Sequence, residues 1–286
     1  MQLRTGYELI YQFPQPTPVI LVLNIHESRS ADLVVPDQLI TEPFVPVTTY
    51  TDTFGNRCSR LVAPAGRIRL YGEGLVEVSE HPEPPVFAPV QTPVAELPDE
   101  TLQFLLGSRY CETDLLSQTA WQLFGWTSPG HQRVQAICDF VHNHIRFNYQ
   151  NARSTRTALA AYQEATGVCR DFAHLAITFC RCMNIPARYC TGYLSDIGLQ
   201  PPFDPGDFAA WFEVWIDGQW HMFDPRNNTP RAGRILMARG RDAADVAIST
   251  TFGPNILESF RVWADEVPAV PQAPQLQEQR FFAAAS

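Results

Sequence analysis

Cys169 has the neighbours that could give a side chain chemistry. It stands in the run Gly167-Val-Cys-Arg-Asp-Phe-Ala-His-Leu175. Upstream, Thr157 to Glu164 reads as a short helix closed by Thr166-Gly167, where glycine frees the backbone to turn. Downstream, Phe172, Leu175, Ala176, Phe179 and Met183 recur at three- and four-residue steps, which predicts a helix with one apolar face. The cysteine therefore falls at or just before the first turn of a buried helix. Unpaired N–H groups and the positive end of the helix dipole there favour thiolate over thiol. A backbone N–H is also left to stabilise an oxyanion on a substrate. Asp171, in the first turn, suits the same end electrostatically. The plainer alternative is a core cysteine, as Cys180, Cys182 and Cys190 are expected to be. The Gly-Val before Cys169 and the charged Arg170-Asp171 after it set it apart from those three.

Other chemically capable residues point nowhere as definite. His142 and His144 lie two apart at the end of a predicted helix and do not share a face, so solvated histidines favoured by the dipole are expected rather than a metal pair. Cys180-Arg-Cys182 is too tightly spaced for a zinc half-site. Seven cysteines without a CxxC pair suit a reducing cytoplasm better than a disulfide scaffold. Neither a calcium loop nor a Gly-rich phosphate cradle occurs, so no metal or organic cofactor is expected. A net charge of −9 with scattered basic residues argues against a nucleic-acid face. The absence of a leader-like start and of a long apolar run predicts a soluble, cytoplasmic chain without a membrane partner.

The elements that must position the cysteine follow from periodicity and turn signals. Residues 1–88 read as a β-rich domain, a small sandwich. Its strands are Leu3 to Tyr11, Val19 to Ile25, a hairpin of Thr48 to Phe54 and Arg57 to Val62 turning at Gly55-Asn56, then Ile68 to Tyr71 and Leu75 to Val78. A proline-rich stretch from Pro82 to Pro98 marks a linker, placed at 89–98. Helices are expected over Asp99 to Leu106, Glu112 to Phe124 and Pro129 to His144. After the cysteine helix, Ala187 to Leu194 is a strand and Ser195 to Gly206 a proline-broken loop able to sit over a cleft. Phe208 to Ile216 and Gln219 to Phe223 form a hairpin around Asp217-Gly218. Asn227 to Gly240 reads as irregular, Ala243 to Ser249 as a helical turn, and Ile256 to Ala264 as a final strand of a core spanning 99–266. Residues 267–286 read as a mobile tail. The layout is α+β: a β-sandwich-like domain, then a helical block and an antiparallel sheet.

Three further runs join the cysteine motif: Asn184-Ile-Pro-Ala-Arg-Tyr189 with Thr191-Gly-Tyr-Leu194, Asp207-Phe-Ala-Ala-Trp-Phe-Glu213, and Trp220-His-Met-Phe-Asp-Pro-Arg226. In order and spacing they resemble the bacterial transglutaminase-like superfamily over about residues 130 to 265, and the N-terminal ninety resemble the β-rich region often found ahead of that core. The resemblance implies a papain-like fold with a Cys-His-Asp triad acting on amide bonds through a thioester. The nucleophile matches Cys169 and the third member Asp224. The family pattern Asp-Phe-His-Ala-Trp-Phe-Glu, however, meets Ala209 where the catalytic histidine belongs.

Turn geometry says what that position would do. A two-residue Asp217-Gly218 turn sets Ile216 opposite Gln219, Val214 opposite His221 and Trp211 opposite Asp224. Positions 209, 211 and 213 then share a face with 222, 224 and 226. A histidine at 209 could reach Asp224 with one ring nitrogen and the Cys169 sulfur with the other. His221 falls on the opposite face and His174 points away along the helix, so neither is expected to replace it. The chain as given is therefore expected to be inactive. It is either an engineered His-to-Ala variant of a working protease, amidase or acyltransferase, or a natural pseudoenzyme that binds a peptide or protein. The expected partner is a peptide or protein substrate, or a small amide.

Overall fold

The computed structural model describes residues 1–82, 90–201, 203 and 206–267. In chain order the first strands are β1 (Gln2–Phe13), β2 (Thr17–Leu21), β3 (Leu33–Val35), β4 (Ile40–Glu42), β5 (Thr48–Thr51), β6 (Arg57–Ala63) and β7 (Gly66–Glu77). Helices α1 (Asp99–Leu102), α2 (Thr113–Phe124) and α3 (His131–His144) follow. Next come β8 (Arg146–Phe147), α4 (Ala158–Glu164), β9 (Thr166–Gly167) and α5 (Cys169–Cys182). The chain then runs through β10 (Ala187–Leu194), β11 (Ala209–Ile216), β12 (Gln219–Phe223), β13 (Arg234–Gly240), β14 (Ser249–Thr251) and β15 (Ile256–Val267). The architecture is α+β.

Two antiparallel sheets face each other over one apolar core. The first runs β15-β1-β7-β3, with β4 also on β7; the second runs β14-β2-β6-β5. β1 and β7 bury alternate residues (Leu3, Leu9, Phe13, Ile68, Leu70 and Val76 among them), the period-two pattern of half-buried strands. The sequence places the strand near 256–264 in the catalytic core. Instead, β15 pairs with β1 along its length and β14 pairs with β2, so the last described segment returns to the N-terminal sheets. The expected break between Tyr71 and Leu75 is also absent: β7 is continuous because it must match the twelve residues of β1.

The second half packs four helices on one face of the antiparallel sheet β12-β11-β10-β13. α5 lies at the centre, buried from Asp171 to Cys182 and in contact with α2, α3, α4, β10 and β11. The β11–β12 hairpin has the anticipated register at Ile216↔Gln219 and Val214↔His221, but its ladder ends at Phe212↔Phe223, before the expected pairing of Trp211 with Asp224. Asp217 and Gly218 both take positive φ (52° and 75°), the paired left-handed geometry a tight hairpin turn requires.

β13 occupies residues expected to be irregular. Its other face meets the sandwich: Ile235 and Met237 join that core, and the Asn56 side chain pairs with both backbone groups of Arg239. The predicted helical turn after Ala243 is a turn over residues 243–246, and Ser249 already belongs to β14. Gln91, in the expected linker, donates to the carbonyl oxygen of Met183 (2.9 Å), so residues from Val90 onward are tied to the core. Residues 83–89 of that stretch, and the expected tail beyond 267, lie outside the described residues. No helix among the described residues is long and apolar enough to cross a membrane.

Candidate active site

Local sequence fixes the cysteine first. Val168 precedes α5 in extended conformation, and Cys169 opens the helix. The Asp171 carboxylate turns back to accept the Val168 N–H (2.9 Å), capping the first turn. Buried Arg156 holds the same oxygen at 3.1 Å, and Arg170 also reaches that carboxylate. The charged pair after Cys169 thus serves the helix tip: Asp171 is 1% exposed and belongs to the support of the cysteine.

The sulfur meets the start of β11 edge-on. Its thiol reaches the Phe208 carbonyl oxygen at 3.9 Å, while the Ala210 and Arg170 backbone N–H groups point at the sulfur. β12 begins to pair with β11 only at Phe212, so Cys169 takes up an edge that the neighbouring strand leaves open. Position 209 lies between the two backbone groups that touch the sulfur. On its other side Ala209 pairs with Gly192, and its carbonyl accepts from the Thr191 hydroxyl (3.0 Å).

Burial pushes the Cys169 thiol up to about 12, and the nearby Asp207 carboxylate adds to it; the two backbone N–H groups and Arg226 act the other way without prevailing. The helix-tip argument anticipates a stabilised thiolate. That expectation fails here because a helix terminus contributes only about 0.3–1 kcal/mol at accessible positions, less than desolvation takes away.

Asp224 follows β12 and is 9% exposed. One oxygen accepts from the backbone N–H groups of Arg226 (3.1 Å) and Asn227 (3.0 Å). The other accepts from Asn227 Nδ2 (2.7 Å) and Arg234 (2.8 Å). Burial alone would raise this carboxyl, but Arg234 and the Asn227 donors outweigh it and hold it below the usual carboxylate range. Arg234 also lies over the Trp211 ring, 4.7 Å from its centroid, and Ala209, Trp211 and Met222 share one small apolar cluster. Position 209 and the Asp224 environment therefore lie on one side of the hairpin. Neither Asn227 nor Arg234 stands out in the sequence; for Arg234 the one available sign was a cation immediately before the apolar run Ile235-Leu-Met-Ala238.

A cleft of about 440 Å³ joins these parts. Cys169, Ala209, Arg226 and Asn227 line it, with Asp196, Leu199 and Phe203 from the proline-broken loop on another side. That loop thus does border a cleft. Val262, Trp263, Ala264 and Asp265 of β15 close the remaining wall.

The other histidines are occupied elsewhere. His174 is fully buried, stacked on Tyr110, and its Nε2 accepts the Ala243 N–H (3.1 Å). Burial, then Arg170 and Arg181, pull it well below the ordinary histidine range. His221 pairs with Val214, off the face of position 209. His142 is exposed as expected, although its Nδ1 meets the carbonyl oxygens of Pro225 and Arg226; His144 is half-buried, its Nε2 on the carbonyl of Tyr162 (2.6 Å).

Residues 117–225 match the model of the transglutaminase-like superfamily, a span that contains Cys169, position 209 and Asp224. The crystal structure of a candidate cysteine protease from Cytophaga hutchinsonii superposes with a TM-score of 0.81. The superposition covers 94% of this chain and 92% of that one at 29% identity. An uncharacterised protein of Mycobacterium leprae is 37% identical over 99 residues, 32% of this chain and 33% of its own length. An uncharacterised Mycobacterium tuberculosis H37Rv protein is 39% identical over 94 residues, 28% of each. This chain spans about a third or less of those two relatives.

Proposed function

The core of this chain is transglutaminase-like, and we propose that it is the scaffold of a cysteine enzyme acting on amide or peptide bonds, silenced by Ala209. The observation that carries this is the placement of Cys169 against the backbone on both sides of position 209. With histidine there, the imidazole would take the thiol proton and the sulfur would attack the amide carbonyl carbon. The first-turn N–H groups of α5 would receive the oxyanion. The imidazolium would pass its proton to the departing amine as the C–N bond breaks, leaving a thioester. Water, or a second amine, would then attack that thioester and return the thiol. Asp224 would orient the ring. The likeness to a candidate cysteine protease favours hydrolysis over crosslinking.

We take Ala209 as a substitution for a working histidine, an engineered one in this reading, because Cys169, Asp224, Asp207, Trp211 and Glu213 are all kept. A natural pseudoenzyme that binds peptides is favoured by one observation: Asp224 already has four donors and awaits no imidazole. Seven free thiols support a reducing, cytoplasmic setting. The pH profile of Cys169 alkylation by iodoacetamide separates the two readings. Ala209→His should create a fast-reacting thiolate near neutral pH together with amide hydrolysis. An unchanged profile would assign the chain to the binding module.

A further inference from the structure

The cleft does not end at the catalytic core. A second cavity of about 540 Å³ lies over β1 and β15, and Gly206, Val262, Trp263 and Asp265 line both it and the cleft beside Cys169. Trp263 is the hinge between them. Its register partner on β1 is Gly6, and a Cβ on Gly6 would collide with the indole ring. The ring therefore lies flat against the backbone of β1, in a seat that any larger residue would fill. Arg4 crosses beside it, pairing with Asp265 (3.3 Å) and Glu73 (4.0 Å).

The same strand is coupled to the nucleophile. Phe260 meets Phe208 edge to face (5.9 Å between centroids), and it is the Phe208 carbonyl that meets the thiol. Gly206 approaches the Val262 carbonyl so closely that a Cβ there would clash, which brings the loop ahead of β11 onto β15.

We propose that Trp263, seated on Gly6, is a substrate-positioning platform that carries an extended polypeptide from the sandwich surface into the Cys169 cleft, and so selects unfolded chains over small amides. This rests on the reading of the cleft as the place where a peptide amide meets Cys169. A small amide would fill only the inner cavity, whereas a polypeptide continues past the attacked bond and needs a second, contiguous surface. An immobile aromatic face provides that at low entropic cost, as anchoring tryptophans in interfaces do.

Fluorescein-labelled β-casein, an unfolded polypeptide, tests this by anisotropy on the Ala209-bearing chain, which cannot turn it over. Casein should bind, Trp263→Ala should weaken binding about tenfold, and Trp263→Phe should restore most of it. On the unsubstituted chain, casein should also slow hydrogen exchange across residues 258–267, a readout independent of whether the variants fold. Equal binding by Trp263→Ala, no binding at all, or no protection of β15 overturns the proposal. If that happens while Ala209→His gains a reactive thiolate, the enzyme reading stands and the platform falls. Casein bound at β15 with no thiolate on Ala209→His keeps the platform and removes the enzyme.

Discussion

The Cys169 sulfur lies 3.9 Å from the carbonyl oxygen of Phe208, the residue immediately before the position where a histidine would serve it. In that arrangement the sulfur is a hydrogen-bond donor on a strand edge, with its proton held by the backbone. Under the proposed function this contact is how the thiol rests when position 209 offers no base.

The first prediction concerns that proton. With burial pushing the thiol to about 12, the thiolate fraction should rise roughly tenfold per pH unit throughout the neutral range. Iodoacetamide alkylation of Cys169, followed by mass spectrometry, should therefore still be climbing at pH 10. A plateau below pH 9 would show that the helix tip outweighs desolvation.

Asn227, which lines the cleft, donates its Nδ2 to the Asp224 carboxylate (2.7 Å). An imidazole at position 209 must compete with that donor. In the Ala209→His background, Asn227→Ala should free the carboxylate and alter the reactive thiol pKa. In the Ala209 chain the same change should cost about 1–2 kcal/mol of stability for a lost hydrogen bond to a charged group. Denaturant melts and the alkylation profile read the two effects separately.

Arg234 and Asp224 form an ion pair in which both side chains are about 5% exposed or less. Arg234→Met should destabilise the fold by about 3 kcal/mol, because it leaves a buried carboxylate short of its cation. The pH dependence follows from the depressed Asp224 carboxyl. Its folded-state value is below the unfolded one, so its contribution is present above the unfolded value and is lost as pH falls through the folded value. The variant should start losing stability at a higher pH than the parent in acid melts followed by circular dichroism.

Asp171 caps α5 and neutralises Arg156, which is 2% exposed. Asp171→Asn retains an acceptor for the Val168 N–H but removes the charge. It should cost about 1.5–3 kcal/mol in chemical denaturation, because Arg156 keeps its Glu164 partner (3.1 Å) but loses the buried carboxylate. Cys169 should also become more accessible to alkylation as the first turn loosens. A melt unchanged to within 0.5 kcal/mol would contradict this account of the helix tip.

Local rules sufficed wherever the information is local. The apolar spacing from Phe172 to Met183 and the Gly167-Val168 entry determined α5 and put Cys169 at its first turn. Asp217-Gly218, the one two-residue solution to its turn, determined the β11–β12 register and with it the facing of position 209. The alanine at that position was visible as a departure from the pattern around it. What no local rule could supply was pairing over long separations. β13 has no alternation because both of its faces are buried, one against the sandwich, so it read as irregular and Arg234 stayed hidden. β15 pairs with β1 across more than 240 residues, and only that closure brings Trp263 onto Gly6 and against the cleft. The thiol's resting state was likewise decided by the tertiary fold, since desolvation depends on what packs around the sulfur, whereas the helix tip it opens is set by local sequence.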